Sequence, residues 1–259
     1  CCSRRGSLPR IQLYLRIRFM DKEEIMRLVF IDIDNTLLDF DAYVKQTMQT
    51  GFGHFGLKPY EPYMFEVFTE ENNRLWHQIE QGTLTFDELH NIRWCNIFHS
   101  LHIPFDGIVF EDYFRKAIYD SAIPVDGAYD MLSYLKEKYV LCAASNGPYA
   151  QQLHRLEIAD MRKYFSYIFV SEKVGVSKPA TGFFDYAFQE VNQSENGLSS
   201  SHPLTASDAV IIGDSLTSDM EGGLRYGMKT CFYRRNPGIK VPDSIDWVID
   251  NLRDVRKIL

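Results

Sequence analysis

Leu28–Phe40, LVFIDIDNTLLDF, decides the reading of this chain. An apolar run that reads as a buried strand stops abruptly at Asp32 and Asp34, with Thr36 two residues further on. Residues two apart on a strand share a face. Two carboxylates held together at a strand's C-terminal end repel unless something cationic sits between them. The pattern points to a metal ion, to phosphate chemistry, or to both. Asp and Asn are also ordinary turn residues, and DxDxT taken alone favours the simpler reading of a strand ending in an Asp-rich turn.

The strand signal recurs at wide spacing along the chain. YVLCAAS (139–145), YIFVS (167–171), AVIIG (209–213) and KTCFY (229–233) are short, apolar and β-branched, without clean alternation. Such runs are strands buried on both faces, hence a parallel sheet. Between them, 128–138 carries Met131, Leu132 and Leu135 at helical spacing, and 148–159 opens on a proline suited to a first turn. Strand and helix in alternation predict a doubly wound α/β fold, in which sites lie beyond the carboxyl ends of the strands.

After Phe40 the rhythm breaks for about 80 residues, several times a normal crossover connection. The segment reads as helical. One predicted helix spans 62–81, with Phe65, Phe68, Leu75, Trp76 and Ile79 on one side and Gly82 at its end; another starts at Thr85, which forms a capping box with Glu88. The expected organisation is a core from 27–40 and 122–259 with an all-α subdomain at 41–121 placed to cover the site. The polar stretch 193–208 reads as a surface loop. Residues 1–26 have scattered arginines and no acid before Asp21, so they read as a disordered or non-native extension outside the fold.

Composition narrows the partners. With 259 residues, 45% of them hydrophobic, the chain can bury a full core and carry a smaller second unit. A net charge of −7 argues against a nucleic-acid polymer or an anionic membrane as the main partner, so a phosphate substrate needs local cations. Cys95, Cys142 and Cys231 form no CxxC pair, and Cys1 and Cys2 are a terminal doublet. These read as reduced thiols of a cytoplasmic protein, with monomer and dimer both open.

The remaining strand ends decide between turn and active site. The second ends in Ser145-Asn146-Gly147, a hydroxyl and backbone N–H groups at a helix start, which suits phosphate oxygens and equally an N-cap. After the third comes Lys178-Pro179, a candidate positioned cation that alone reads as a surface lysine. The fourth ends in Gly213-Asp214-Ser215-Leu216-Thr217-Ser218-Asp219. Two carboxylates five apart at a strand-to-helix turn suit Mg²⁺, which takes few direct carboxylates and keeps waters. Each signal is modest, but their placement at successive strand ends makes chance a poor explanation.

The set resembles the haloacid dehalogenase superfamily of phosphohydrolases over nearly all of residues 27–259. FIDIDNT resembles its first motif, Ser145 its second, Lys178 its third and GDSLTSD its fourth, and the helical insertion resembles the family's helical cap. NRLWHQIEQGTLTFDELHNIRW, ASNGPYAQQLHRL and YFSYIFVSEKVGVSKP are similar to the bacterial pyrimidine 5′-nucleotidase branch. Ala180-Thr181 depart from that pattern, where relatives carry an acid and a proline after Pro179. The resemblance implies that Asp32 is the nucleophile that becomes an aspartyl phosphate and Asp34 the general acid and base. It also implies that Ser145, Asn146, Lys178 and Thr36 bind the phosphate or orient its loop. Mg²⁺ would be held by Asp32, the Asp34 backbone carbonyl, Asp214 and Asp219.

The resemblance thus implies a Mg²⁺-dependent phosphatase of nucleoside 5′-monophosphates; a sugar-phosphate or other small-metabolite phosphatase or phosphomutase would share every catalytic residue. A catalytically silent scaffold is disfavoured by the complete acidic set. Phe40, Trp76, Arg93 and Trp94 are candidates for lining the base, though cap helices also need aromatic cores. The seven histidines show no metal-ligand spacing near the strand ends and read as surface or cap residues.

Overall fold

The structure, a computed structural model, describes residues 27–193 and 203–259. The extension expected over 1–26, His202 and most of the loop after Gln193 lie outside the described residues. Six strands, β1 (Leu28–Ile31), β2 (Val140–Ser145), β3 (Tyr167–Val170), β4 (Ala209–Gly213), β5 (Lys229–Tyr233) and β6 (Trp247–Ile249), form one sheet in the order β3-β2-β1-β4-β5-β6. Every pairing is parallel, with Leu28 opposite Val140 on one side and Ala209 on the other. The direction of winding reverses between β1 and β4, so the Asp32 loop emerges at the topological switch point, where such sheets bind ligands.

Both faces of the sheet are covered, as the unbroken apolar runs require. Val29 and Ile31 face a core with α5 (Ala128–Lys136) and α6 (Tyr149–Ile158), while Leu28 and Phe30 face one with α8 (Thr181–Gln193). Phe30 lies 5.7–6.2 Å from the rings of Phe169, Phe184 and Phe188; burying a side chain of this kind stabilises by about 1.5–3 kcal/mol. Cys142 and Cys231 are buried free thiols in β2 and β5. The short α7 (Ser171–Val174) follows β3, and α9 (Glu221–Tyr226) follows a single π-helical turn, Leu216–Met220.

Between β1 and α5 lie four helices: α1 (Phe40–His54), α2 (Pro62–Glu80), α3 (Phe86–Ser100) and α4 (Gly107–Tyr119). Thr85 and Glu88 close the expected capping box on α3, and Asp39 and Asp106 cap α1 and α4. The helices share an aromatic core that includes Phe52, Phe68, Trp94, Phe98, Phe110 and Phe114. Gly107 lets α4 press against α3, because a Cβ there would lie 2.2 Å from the Cys95 backbone nitrogen. The two chain crossings between this cap and the core are hydrogen-bonded to each other, Asp39 to the Ile123 carbonyl and Val125 to that of Leu37. Among the described residues, no helix is long and apolar enough to cross a membrane.

Candidate active site

The loop leaving β1 is pinned by its own backbone. Asp32 N–H donates to the Ile212 carbonyl, and Leu37 and Leu38 both donate to that of Ile33. The turn passes through Asn35 at φ 62°, a left-handed conformation that Asn tolerates better than most residues. This geometry directs Asp32 and Asp34 into a cavity of about 600 Å³ together with Ser145, Lys178, Asp214 and Asp219. Four loops at the carboxyl ends of β1, β2, β3 and β4 therefore converge as the sequence order predicts.

Lys178 is the centre of charge. Its ammonium, 1% exposed, donates to Asp32 Oδ1 at 2.9 Å, Asp219 Oδ1 at 2.5 Å and the Ala144 carbonyl at 2.7 Å. Burial alone would lower its pKa, and the two carboxylates more than reverse that. Asp32 is pushed up to about 7 by burial and then by the charge of Asp219, with Lys178 opposing. Asp214 is raised well above the ordinary carboxylate range by burial, then Asp32 and Asp219. Asp219 reaches this cluster because Gly213 has no side chain: a Cβ there would lie 2.2 Å from Asp219 Oδ2.

The cluster fits a hard divalent cation. Asp32, Asp214 and Asp219 each offer an oxygen within 4.8 Å of the others. Asp214 accepts no hydrogen bond from the described residues, and one ammonium cannot offset three acids. Oxygen donors at this density, with room for water, match Mg²⁺. Asp219 has Oδ1 on Lys178 and Oδ2 on the Ser215 N–H, so it is the most firmly held of the three.

Other expected residues are placed differently. Thr36 is fully buried, its hydroxyl lacks a partner among the described residues, and it does not line the cavity. Asn146 lines the cavity, but its side-chain amide is occupied by the Lys178 backbone, with Oδ1 accepting from N–H at 2.9 Å and Nδ2 donating to the carbonyl at 2.9 Å. It shapes the Lys178 loop instead of presenting an amide to phosphate. Asp34 offers no carboxylate to the acidic cluster; Arg155 Nη1 and Gln152 Nε2, both at 2.6 Å, hold its two oxygens.

A sequence profile for haloacid dehalogenase-like hydrolases matches residues 26–227. The chain belongs to that family. It is 32% identical to the HAD hydrolase YfnB of Bacillus subtilis over 236 residues, spanning 90% of this chain and 95% of YfnB. A YfnB structure, described as bound to magnesium and revealing interdomain movement, superimposes with a TM-score of 0.79 at 30% identity, covering 91% of this chain and 99% of that one. Pyrimidine 5′-nucleotidase YjjG of Escherichia coli is 26% identical over 235 residues, 89% of this chain and 96% of YjjG. PynA of Streptococcus pneumoniae, also a pyrimidine 5′-nucleotidase, is 30% identical over 208 residues, 80% of this chain and 83% of PynA.

The doubly wound core with a helical cap is thus the fold of a HAD hydrolase, and the cap supplies part of the cavity wall. Thr69, Asn73, Trp76, His77 and Glu80 line it, all from α2. Their spacing puts them on one helical face; Trp76 was a candidate from the sequence, while the polar stripe of Thr69, Asn73, His77 and Glu80 beside it is a signal that sequence reading passed over. Glu80 is pushed up to about 7 by burial and then by Asp219. A narrow cleft of about 40 Å³ runs on from Asp34 past Phe40, His90 and Arg93. Arg93 is tied there to Glu111 and Asn72, and Trp94 is buried in the cap core away from both spaces, so Trp94 lines no base site.

Proposed function

We propose that this HAD hydrolase is a Mg²⁺-dependent phosphomonoesterase working through an aspartyl phosphate on Asp32, with pyrimidine nucleoside 5′-monophosphates as substrates. The observation that carries the chemistry is the meeting of Asp32, Asp34, Lys178, Asp214 and Asp219 around one cavity. The substrate class is supported by PynA and YjjG, and the metal by the magnesium-bound YfnB structure.

A phosphoryl transfer needs an in-line nucleophile, neutralised oxygens and a proton for the leaving group. An Asp32 oxygen forms the new P–O bond as the bond to the 5′-oxygen breaks, and the Asp34 proton goes to that oxygen. Water then attacks phosphorus and gives its proton to Asp34, the Asp32–phosphorus linkage opens, and free phosphate and the original carboxylate result. The Ser145 hydroxyl donates to a phosphoryl oxygen, while Lys178 fixes the nucleophile through Asp32 Oδ1. Asp32, Asp214, Asp219 and the Asp34 carbonyl would hold Mg²⁺, which when bound would supply the positive charge that offsets the acids and polarises the phosphoryl group.

The test is phosphate release in Mg²⁺ from UMP, dUMP and dTMP against purine monophosphates and hexose and triose phosphates. The pyrimidine nucleotides are expected to lead, and Asp32→Asn to be inactive. A lead for sugar phosphates removes the substrate assignment and keeps the chemistry; turnover by Asp32→Asn removes the chemistry.

A further inference from the structure

Asp34 is the one acid of the cavity whose two oxygens are both held by a single helix. Gln152 and Arg155 lie three apart on α6 and are 0% and 1% exposed. Arg155 Nη1 donates to Asp34 Oδ1 at 2.6 Å and to Gln152 Oε1 at 3.0 Å, and its Nε donates to the Ser121 carbonyl at 3.0 Å. Ser121 belongs to the segment returning from the cap to the core. Gln152 Nε2 completes the unit, at 2.6 Å from Asp34 Oδ2 and 2.7 Å from Ser145 Oγ.

Burying a guanidinium costs free energy unless partners are fixed around it, and here they are a proton carrier, a cap linker and a glutamine. Ser145 Oγ accepts from Gln152 and from the Gly147 N–H, which leaves its own O–H to be donated. The same unit therefore sets the direction of Asp34 and the polarity of Ser145.

We propose that Arg155, with Gln152, is the positioning residue of the acid–base step, holding Asp34 in line with the leaving oxygen and tying its place to the cap linker at Ser121. This rests on the aspartyl-phosphatase reading above, in which Asp34 carries the proton. A carboxylate freed from Arg155 swings at a pocket edge where it is about one-third exposed, its side chain being 32% accessible. Misplacing a reacting group by about 1 Å costs on the order of 100-fold.

The leaving group distinguishes positioning from simple structural support. An alkoxide, as from UMP, needs a proton as the bond breaks; p-nitrophenolate does not. In Mg²⁺, Arg155→Met is expected to lose about 100-fold in kcat on UMP with KM within about threefold. It should still release a rapid burst of p-nitrophenolate from p-nitrophenyl phosphate, and Arg155→Lys, which keeps the charge without the fork, should fall between it and the parent. Gln152→Met, which leaves the Ser121 contact in place, gives the same split more weakly and serves if Arg155→Met does not fold.

Loss of the burst in parallel with UMP turnover, in variants that melt like the parent, overturns the proposal, as does UMP turnover within about threefold of the parent. Asp34→Asn separates the two readings. If it retains UMP turnover, Asp34 is not the acid and the proposal falls with it; if it shows the split and the α6 variants do not, only the role of Arg155 falls. A parent inert on UMP refutes the nucleotide assignment alone, and the comparison then uses the hexose or triose phosphate of the panel that turns over.

Discussion

Replacing Lys178 by Met keeps the length of the side chain and removes the cation between Asp32 and Asp219. The ammonium's bonds to these carboxylates are buried and measure 2.9 and 2.5 Å, and a third goes to the Ala144 carbonyl. At an effective dielectric of about 20, each carboxylate pairing represents roughly 6 kcal/mol of gross attraction, much of it offset by desolvation of the ions. Breaking a buried pair by removing one partner costs about 3–5 kcal/mol, because the other charge stays behind. At about 2–4 °C per kcal/mol for a chain of this size, the melting temperature in EDTA falls by about 6–20 °C. Two further measurements identify the cause. Mg²⁺ should restore part of the stability by replacing the missing charge, and Asp219→Asn added to Lys178→Met should restore about 1–3 kcal/mol by removing a stranded acid. A Lys178→Met protein that melts within about 1 kcal/mol of the parent in EDTA refutes the charge cluster described above.

Three other perturbations probe different parts of the molecule. Gly213→Ala drives a Cβ to 2.2 Å from Asp219 Oδ2, so stability should fall by about 1–3 kcal/mol and Mg²⁺-dependent turnover by on the order of 100-fold, read by melting and phosphate release; near-normal turnover would mean Asp219 can move freely. Thr36→Val removes a buried hydroxyl that has no partner among the described residues, and melting should show a neutral or stabilising effect of up to about 1 kcal/mol, with a larger loss revealing a missed partner. His90 is held down to about 4 by burial and then by Arg115 and Arg93. Its folded pKa lies below the unfolded value of about 6.5, so the neutral ring contributes its full stability above that pH and loses it as pH falls toward 4. His90→Gln should therefore melt with a shallower decline than the parent between these pH values, and parallel curves would show that His90 titrates freely.

The core strands were legible because a parallel sheet between two helical layers must be apolar on both faces, and such runs stand out in a sequence. β6 was not, since Trp247–Ile249 is a three-residue edge strand with Val248 exposed and too short to carry a pattern. In the cap, α2 and α3 announced themselves by a proline start and a capping box. α1 hides its helical pattern behind Gly51 and Gly53 in its last turn, and Gly51 is required there by the rings of Phe110 and Tyr113, 2.8–2.9 Å from where its Cβ would be.

The site divides in the same way. Asp32, Ser145 and Asp214 could be found because each sits where its own strand ends, so local pattern fixes position; Lys178 lies beyond α7 and was marked only by the proline after it. Asp34's partners could not be found that way: Gln152 and Arg155 are 118 and 121 residues away and lie mid-helix, where a polar side chain ordinarily faces solvent. Thr36 lies away from the cavity for the opposite reason. Its spacing in DxDxT continues the alternation of the strand, but the chain turns at Asn35 and buries it. Residues at strand ends are legible one motif at a time, while pairs from distant segments come together only by folding. A polar α2 stripe facing a buried acid cluster is such a pair. Glu80, from the cap, lies within the same cavity as Asp219, from the core, and its proton affinity is raised first by burial and then by that charge.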